Sequence, residues 1–391
     1  MSRASLRALA LVAPLFLFFA SLFLWPVWMM ISAAIQDETV SRALPYTASA
    51  MASWDGNGLP PEAVRAALIQ DLRASDDQEV FGNAVRRLNS DFSGFRTLLS
   101  RSRTAARDAA PGAPVDLAAV DPRWGEPRPW GVIKAAMPRY TDKNVLAAVD
   151  LKRDASGSIV SEAPGASANR VIMLRTLLIA GLVTLICAGI GLPYAILAAS
   201  LTGWKRTVLL LAVLLPLWTS LLVRTAAWLV LLQNEGLINK ALVGLGLTAA
   251  PLPLIFNRTG VLIAMTHVLL PFMVLPIYSV VAAIPKNLMP AAASMGASPL
   301  RAFWRVLLPL SLPGVYSGSL LVFMVATGYY ITPALVGGAD DQMISSVIAF
   351  YATGTANWGM AGALGLVLLL TTMLLYAVYG RLSQSKPVLG A

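Results

Sequence analysis

The chain has 391 residues, 57% of them hydrophobic and only 13% charged, with a mean hydropathy of +0.67. That balance belongs to a membrane protein and excludes an ordinary soluble core. The formal net charge is +10, yet Gln36 to Arg170 carries 17 acidic and 17 basic residues, so the whole excess sits on the apolar remainder and its short loops. Such a distribution fits orientation in a membrane by basic flanks rather than nucleic-acid binding. One cysteine, Cys187, and one histidine, His267, leave no material for a disulfide framework or a thiolate metal site, and no phosphate-loop sequence occurs. The reading is therefore of a non-enzymatic chain that binds no cofactor. Any ATP that drives it, with its Mg, sits on another subunit.

Taken in order, residues 1–35 form a short basic start (Arg3, Arg7) and a first span. Ala8 to Gln36 is uncharged and exceeds the apolar core of a signal peptide, with cleavage near Ala33–Ala34 as the alternative. Residues 36–170 are mixed in charge and contain no run long enough to span. They read as an extracytoplasmic domain inserted between spans one and two. Within it Pro60–Gln70 and Val80–Arg107 have helical character, the second interrupted near Asn89–Gly94. Asp154–Gly157 reads as a turn between Val145–Leu151 and Ser158–Val160. Residues 171–391 hold five further apolar runs, about Val171–Leu201, Thr207–Leu232, Thr259–Ile284, Leu310–Leu335 and Gly359–Leu382. Each exceeds the ~20 residues that cross a bilayer. The expected fold is an all-α polytopic membrane protein with six transmembrane helices. Lys205, Arg206, Lys286, Arg301, Arg305, Arg381 and Lys386 mark the inner loops, which places both termini inside.

Between the fourth and fifth spans lies Pro290–Pro309, PAAASMGASPLRAFWRVLLP. Pro290 suits a first helical position, and Gly296 can end that helix in the left-handed conformation. Ser298 can cap a second helix with Pro299 as its first residue, and Pro309 and Pro313 are expected to stop it. Ala292, Met295, Leu300 and Phe303 form an apolar face that needs something to dock against. This stretch resembles the coupling loop (285–310) of ABC-importer permeases. Ala291, Ala292, Gly296, Val306, Leu308 and Pro309 fall at that family's offsets, with Pro290 in place of its usual Glu and Val306 in place of Ile. The resemblance implies that Ala291, Ala292, Met295, Gly296, Ala297, Ser298, Arg301, Phe303 and Pro309 meet an ATPase.

Several side chains are candidates for a solute path. Arg224, in the third span, must be paired, snorkel or face water. His267 stands in a proline-broken span, either lining a cavity or packing. Thr327, Tyr329 and Tyr330, beside Gly328 and Pro333, offer hydroxyls and ring faces to a cationic amine or form an interfacial belt. Glu235, Asp340 and Asp341 are the only Asp or Glu residues outside the 36–170 segment, and they could guide a cation to the outer mouth or merely solvate loops. Gly181, Ala188, Gly189, Gly191, Ala361, Gly362, Ala363 and Gly365 suit close helix packing.

Four strings, Leu222-Val-Arg-Thr, Leu232-Gln-Asn-Glu-Gly-Leu-Ile-Asn-Lys, His267-Val-Leu-Leu-Pro-Phe-Met-Val-Leu-Pro-Ile-Tyr and Tyr330-Ile-Thr-Pro-Ala-Leu-Val-Gly-Gly, are similar to the spermidine/putrescine permease subfamily. The resemblance runs from about Arg170 onward. It implies a type I importer of the bacterial inner membrane. Two cytoplasmic ATP-binding subunits, a second and different permease chain and a periplasmic solute-binding protein would complete it. The solute would be a polyamine or a related organic compound. The rival readings are an ion-coupled secondary transporter, which needs intramembrane carboxylates, and a membrane-anchored scaffold whose outer domain binds a protein.

Overall fold

The computed structural model describes residues 3–110, 113–153, 158–163, 165, 168–355 and 357–384. The expected turn at 154–157 and the basic Lys386 lie outside these residues. The chain divides into two compact units between Val145 and Leu146.

The first unit opens with α1 (Arg3–Ile35), whose stretch Val12–Ile35 has the length and hydropathy of a span. Seven helices follow: α2 (Thr39–Ala43), α3 (Pro45–Met51), α4 (Glu62–Ala74), α5 (Gln78–Asp91), α6 (Phe95–Asp108), α7 (Leu117–Val120) and α8 (Pro127–Ala135). The expected interruption of the 80–107 stretch is present. Gly94 has φ +95°, a left-handed value that suits glycine, and the Asn89 side chain accepts from the backbone N–H of Gly94 and Arg96, both at 3.1 Å. Apolar residues of α4, α5 and α6 (Leu68, Leu72, Leu88, Leu98, Leu99) join two packed tryptophans in one core. The Trp124 and Trp130 ring centroids are 4.6 Å apart, and both indole N–H groups are satisfied, on Ser102 Oγ at 2.8 Å and Trp124 O at 3.0 Å.

Charge closes this unit. Arg87 bridges Asp37 (2.5 Å) and Asp91 (2.7 Å), and Lys143 adds a second cation to Asp91. Burial opposes ionisation of both aspartates, but the neighbouring cations prevail and hold their carboxyls below the usual range. The end of α1 is tied to the far end of the unit by Asp37 N–H donating to Arg139 O at 2.9 Å and Thr141 N–H to Ile35 O at 2.8 Å. The segment therefore leaves α1 and returns beside it.

The second unit continues from α9 (Lys143–Ala148), which crosses the division, and a short antiparallel hairpin of β1 (Leu151–Arg153) and β2 (Ile159–Ser161), with Leu151 opposite Ser161. Its helices are α10 (Asn169–Ser200), α11 (Gly203–Leu214), α12 (Leu221–Leu231), α13 (Leu237–Gly244), α14 (Arg258–Ala283), α15 (Leu288–Ser294), α16 (Pro299–Ala302), α17 (Leu308–Gly328), α18 (Ile331–Val336), α19 (Ile344–Ala349) and α20 (Trp358–Gln384). The core is α10, α14 and α17, and glycines permit their approach. A Cβ on Gly318 would lie 2.8 Å from Met273 Sδ and 3.0 Å from its carbonyl, and one on Gly191 2.8 Å from Met273 Cγ. Gly181 and Gly189 face open space instead.

Five described helices are long and apolar enough to cross a membrane, or six if one bent pair counts as a span. That pair corrects the expected continuous third span. Gly203–Trp218 and Leu221–Leu231 meet at 101°. Pro216 brings no backbone N–H into the tight turn Leu215–Trp218, Thr219 and Ser220 are extended, and Ser220 Oγ caps the new helix at Val223 N (3.3 Å). The fifth span is also corrected. It ends at Gly328 rather than Leu335, and α18 restarts as a separate short helix.

Two outcomes follow. Gly318→Leu places bulk against the backbone of α14 and is expected to cost about 1–3 kcal/mol, read as a lower midpoint for thermal unfolding in detergent. The Arg123 side chain clasps Asp121 and depresses its carboxyl to about 2, so this support is complete above the ordinary value of 3.8 and is lost as the pH falls toward about 2. Asp121→Asn should weaken the tryptophan-centred core at neutral pH, and it should flatten the acid-induced change in tryptophan fluorescence across that window.

Candidate functional site

Two regions of the second unit carry the predicted site residues, and they lie at different levels of α14. That helix leads at its C-terminal end into the 285–310 segment, while its N-terminal end meets the 337–341 turn.

The 285–310 segment closes on itself. Gly296 has φ +84°, Gly296 N–H donates to Ala293 O (2.9 Å), and Ala297 N–H donates to Ala292 O (3.0 Å). These are the paired bonds of a Schellman turn, which satisfies the last carbonyls of α15. Ser298 Oγ then accepts from Arg301 N (3.4 Å), with Pro299 first in α16. Pro290 is not the first helical residue, because α15 begins at Leu288; it still lies in the first turn, where no N–H partner is needed. The apolar face is split. Ala292 is 4% exposed and lies inward, and Phe303 is half-buried, whereas Met295 and Leu300 are 84% and 69% exposed, joined by Trp304. Ala291 and Arg301 are exposed and Ala297 half-buried.

Pro309 and Pro313 do not stop the second helix. A wide turn over Phe303–Leu307, closed by Leu308 N–H on Phe303 O, absorbs an extra residue just before Pro309. Pro299–Gly328 is consequently one 30-residue apolar element. The part of the segment from Pro299 onward thus runs on into α17 without a break, and α17 packs on α14 and α10.

The second region gathers around the two helix breaks. Gly328 ends α17; the Tyr329 carbonyl freed there accepts from Ser345 Oγ (2.7 Å), and the Tyr330 carbonyl, which already accepts from Ala334 N–H (3.0 Å), accepts also from Ser346 Oγ (3.4 Å). Thr225 of α12 meets Thr332 of α18, hydroxyl to hydroxyl, at 3.1 Å. Trp228, one turn beyond Arg224 on the same face of α12, donates its indole N–H to His267 Nδ1 at 3.1 Å. His267 therefore carries its ring proton on Nε2, and it is exposed on an otherwise largely buried helix. Arg224 Nε reaches Ser220 O only at 3.5 Å, and its Nη1 is shielded without a partner. Tyr330 is exposed. Thr327 is not presented: it is buried, with its hydroxyl on Met324 O at 2.8 Å. Glu235 is apart from this group, exposed in the turn between α12 and α13.

Sequence reasoning missed the frame that holds these breaks. Buried Asn239 donates to Gln233 O and Leu252 O, both at 3.0 Å, and accepts from Leu252 N at 2.8 Å. Arg258 pairs with buried Asp341 at 3.2 Å, and Phe256 N–H donates to Val336 O at 2.8 Å. Gly338 permits this closure, since a Cβ there would lie 2.6 Å from Phe256 O. The signals were a lone Asn in an apolar helix and the Gly337-Gly338 pair.

Comparison with known proteins now bears on the site. The family model for the binding-protein-dependent transport system inner membrane component matches residues 191–386, which span both regions. The chain belongs to this family. It is 34% identical over 213 residues to the spermidine/putrescine transport system permease protein PotB of Escherichia coli (strain K12), covering 54% of this chain and 78% of that protein. It is 34% identical over 227 residues to the inner membrane ABC transporter permease protein YdcU of the same organism, covering 55% and 72%. Among solved structures, a bacterial alginate ABC transporter in complex with its alginate pentasaccharide-bound periplasmic protein aligns with a TM-score of 0.48 at 16% identity, over 58% of this chain and 82% of that one. The chain is accordingly a permease component of an ABC importer, a multi-pass inner-membrane protein of a subunit class that is not itself enzymatic, and its similarity to the spermidine/putrescine permeases is borne out.

Asn239→Ala would leave the Leu252 carbonyl and amide without their partner, while Gln233 O keeps its bond from Gly236 N–H, a loss of about 1–3 kcal/mol. The expected readouts are a lower unfolding midpoint and faster protease cleavage in the 245–257 loop.

Proposed function

We propose that this permease passes a polyamine or a related small organic cation inward by alternating access, driven by ATP on a separate cytoplasmic subunit present in two copies. A periplasmic solute-binding protein delivers the solute, and a second permease chain completes the pathway. Both termini and the 285–310 segment face the cytoplasm. Residues 36–170 form a domain on the outer side.

The observation that carries this reading is the fusion of the 285–310 segment to α17. A Schellman turn and a serine cap fix its shape, Met295, Leu300 and Trp304 leave it an apolar exposed surface flanked by Arg301, and no flexible joint separates it from the span. A rigid element of this kind transmits rigid-body motion. Closure of the ATPase pair pushes the segment, α17 carries α14 and α10 with it, and the chain yields at Tyr329–Tyr330, where the helix is broken. Tyr330 and His267 line the path beside that break. The resemblance to PotB supports a polyamine as the solute. An ion-coupled mechanism lacks its usual chemistry, because from residue 171 onward the only carboxylates are Glu235, Asp340 and Asp341, all outside the long spans.

Gly296→Asp tests the reading. It strains a left-handed backbone position and adds charge to the docking surface. With tagged chain purified from mild detergent, an ATP-hydrolysing subunit should accompany the wild type and fall by about tenfold or more in the variant, on the scale of a lost interface hot spot. Wild-type chain that purifies without an ATPase, under conditions that keep other complexes whole, would overturn the importer reading.

A further inference from the structure

An ammonium group donates hydrogen bonds and accepts none, so a path for a plain polyamine needs acceptors. At the two breaks the side-chain oxygens are engaged. The Thr225 and Thr332 hydroxyls meet each other, Ser345 and Ser346 donate to the Tyr329 and Tyr330 carbonyls, and the Thr327 hydroxyl is on Met324 O. The long spans among the described residues carry no Asp or Glu, and Asp341 is held by Arg258. Arg224 has donors only. The Tyr329 and Tyr330 hydroxyls either donate or accept, and their ring faces are open to a cation.

His267 adds a donor of fixed direction. It is the only exposed residue of α14 between Gly260 and Val274. Trp228 holds its ring twice, by the indole N–H on Nδ1 at 3.1 Å and by an edge contact with centroids 5.3 Å apart at 69°. That bond occupies the ring nitrogen that accepts, so the free atom, Nε2, bears a hydrogen and donates. Without Trp228 the imidazole could turn either nitrogen outward. With it, the ring offers a donor alone, and a donor calls for an acceptor on the solute.

We propose that Trp228 positions His267 as a hydrogen-bond donor to an oxygen of the transported solute, and that this solute is an amine bearing such an oxygen, acyl or carboxylate, rather than a plain polyamine. This rests on the importer reading above and narrows its solute. A site that hydrogen-bonds one group of a substrate discriminates against the analogue lacking it, because the site's own polar group is then left unpaired. The ammonium end of the same molecule is met by the exposed ring of Tyr330.

The test is ATP-driven uptake into proteoliposomes that hold the full importer, with the solute-binding protein on one side and ATP on the other. The probes are putrescine, N-acetylputrescine and ornithine: one diamine bare, with an acyl oxygen, and with a carboxylate. The binding protein is the same for every variant, so its own preference cancels when ratios of uptake rates are compared with wild type. His267→Leu should lower the ratio of an oxygen-bearing probe to putrescine by about tenfold, the worth of one hydrogen bond. Trp228→Phe, which keeps a ring and drops the N–H, should lower it in the same direction. His267→Gln, which keeps an N–H donor, should restore most of it. The probe whose ratio falls identifies the oxygen as acyl or carboxylate. An equal loss of all three rates in His267→Leu, with the ratios unchanged, would make His267 a packing residue and overturn the proposal. Wild-type uptake confined to putrescine, or a ratio that Trp228→Phe leaves as it was, would overturn it as well. So would uptake of none of the probes, and an ATPase that still co-purifies with wild type then separates that result from failure of the importer reading itself.

Discussion

A backbone that leaves its helix inside a bilayer must find partners for every group it frees, because no water is there to supply them. That constraint governs the second unit. At Thr219–Ser220 the chain turns through 101° and a serine caps the new helix. At Tyr329–Tyr330 a serine of α19 takes up the freed Tyr329 carbonyl, and a second serine joins Ala334 N–H on that of Tyr330. Both breaks are brought together by the Thr225–Thr332 contact. The polar side chains of the site are therefore consequences of the breaks, gathered where the backbone itself requires polar company.

The opposite end of α14 obeys the contrary requirement. There the chain needs stiffness, and it obtains it with a glycine in a left-handed turn, a serine cap and a wide turn that lets Pro309 remain within a continuous helix. A continuous helix joined to a core of close glycine contacts, ending at a helix break, is the geometry on which the proposed lever rests. The first unit stands on different physics. Two packed tryptophans and an ion-pair network of Arg87, Asp37, Asp91 and Lys143 give it a core of its own, independent of hydrocarbon.

Much of this was legible in the residues. Apolar runs marked the spans, since a span needs little beyond length and hydropathy. Gly296, Ser298 and Pro299 marked the segment turn, because each has few backbone roles. The breaks were not legible. Leu215-Pro-Leu-Trp and Gly328-Tyr-Tyr-Ile-Thr-Pro carry no charge and interrupt no apolar run for long, and hydropathy averages over a kink. Nor was the continuity through Pro309 legible, for proline normally ends a helix and only a wide turn upstream evades that rule. Thr327 and Glu235 show the limit of reading chemistry from type alone: one hydroxyl is spent on its own helix, and one carboxylate stands away from the cluster. Asn239 and the Arg258–Asp341 pair act across long sequence separations that no local pattern reveals.

The most direct measurement of the lever is a pair of spin-label distances in the assembled, cysteine-replaced complex, with and without ATP. Labels at Leu300 and Leu321 bracket the wide turn, and labels at Leu300 and Leu335 bracket the break at Tyr329–Tyr330. The expected result is a constant Leu300–Leu321 distance and a Leu300–Leu335 distance that changes with nucleotide. A Leu300–Leu321 distance that changes instead would show that the segment flexes on its own, and it would contradict the single rigid element on which the mechanism rests.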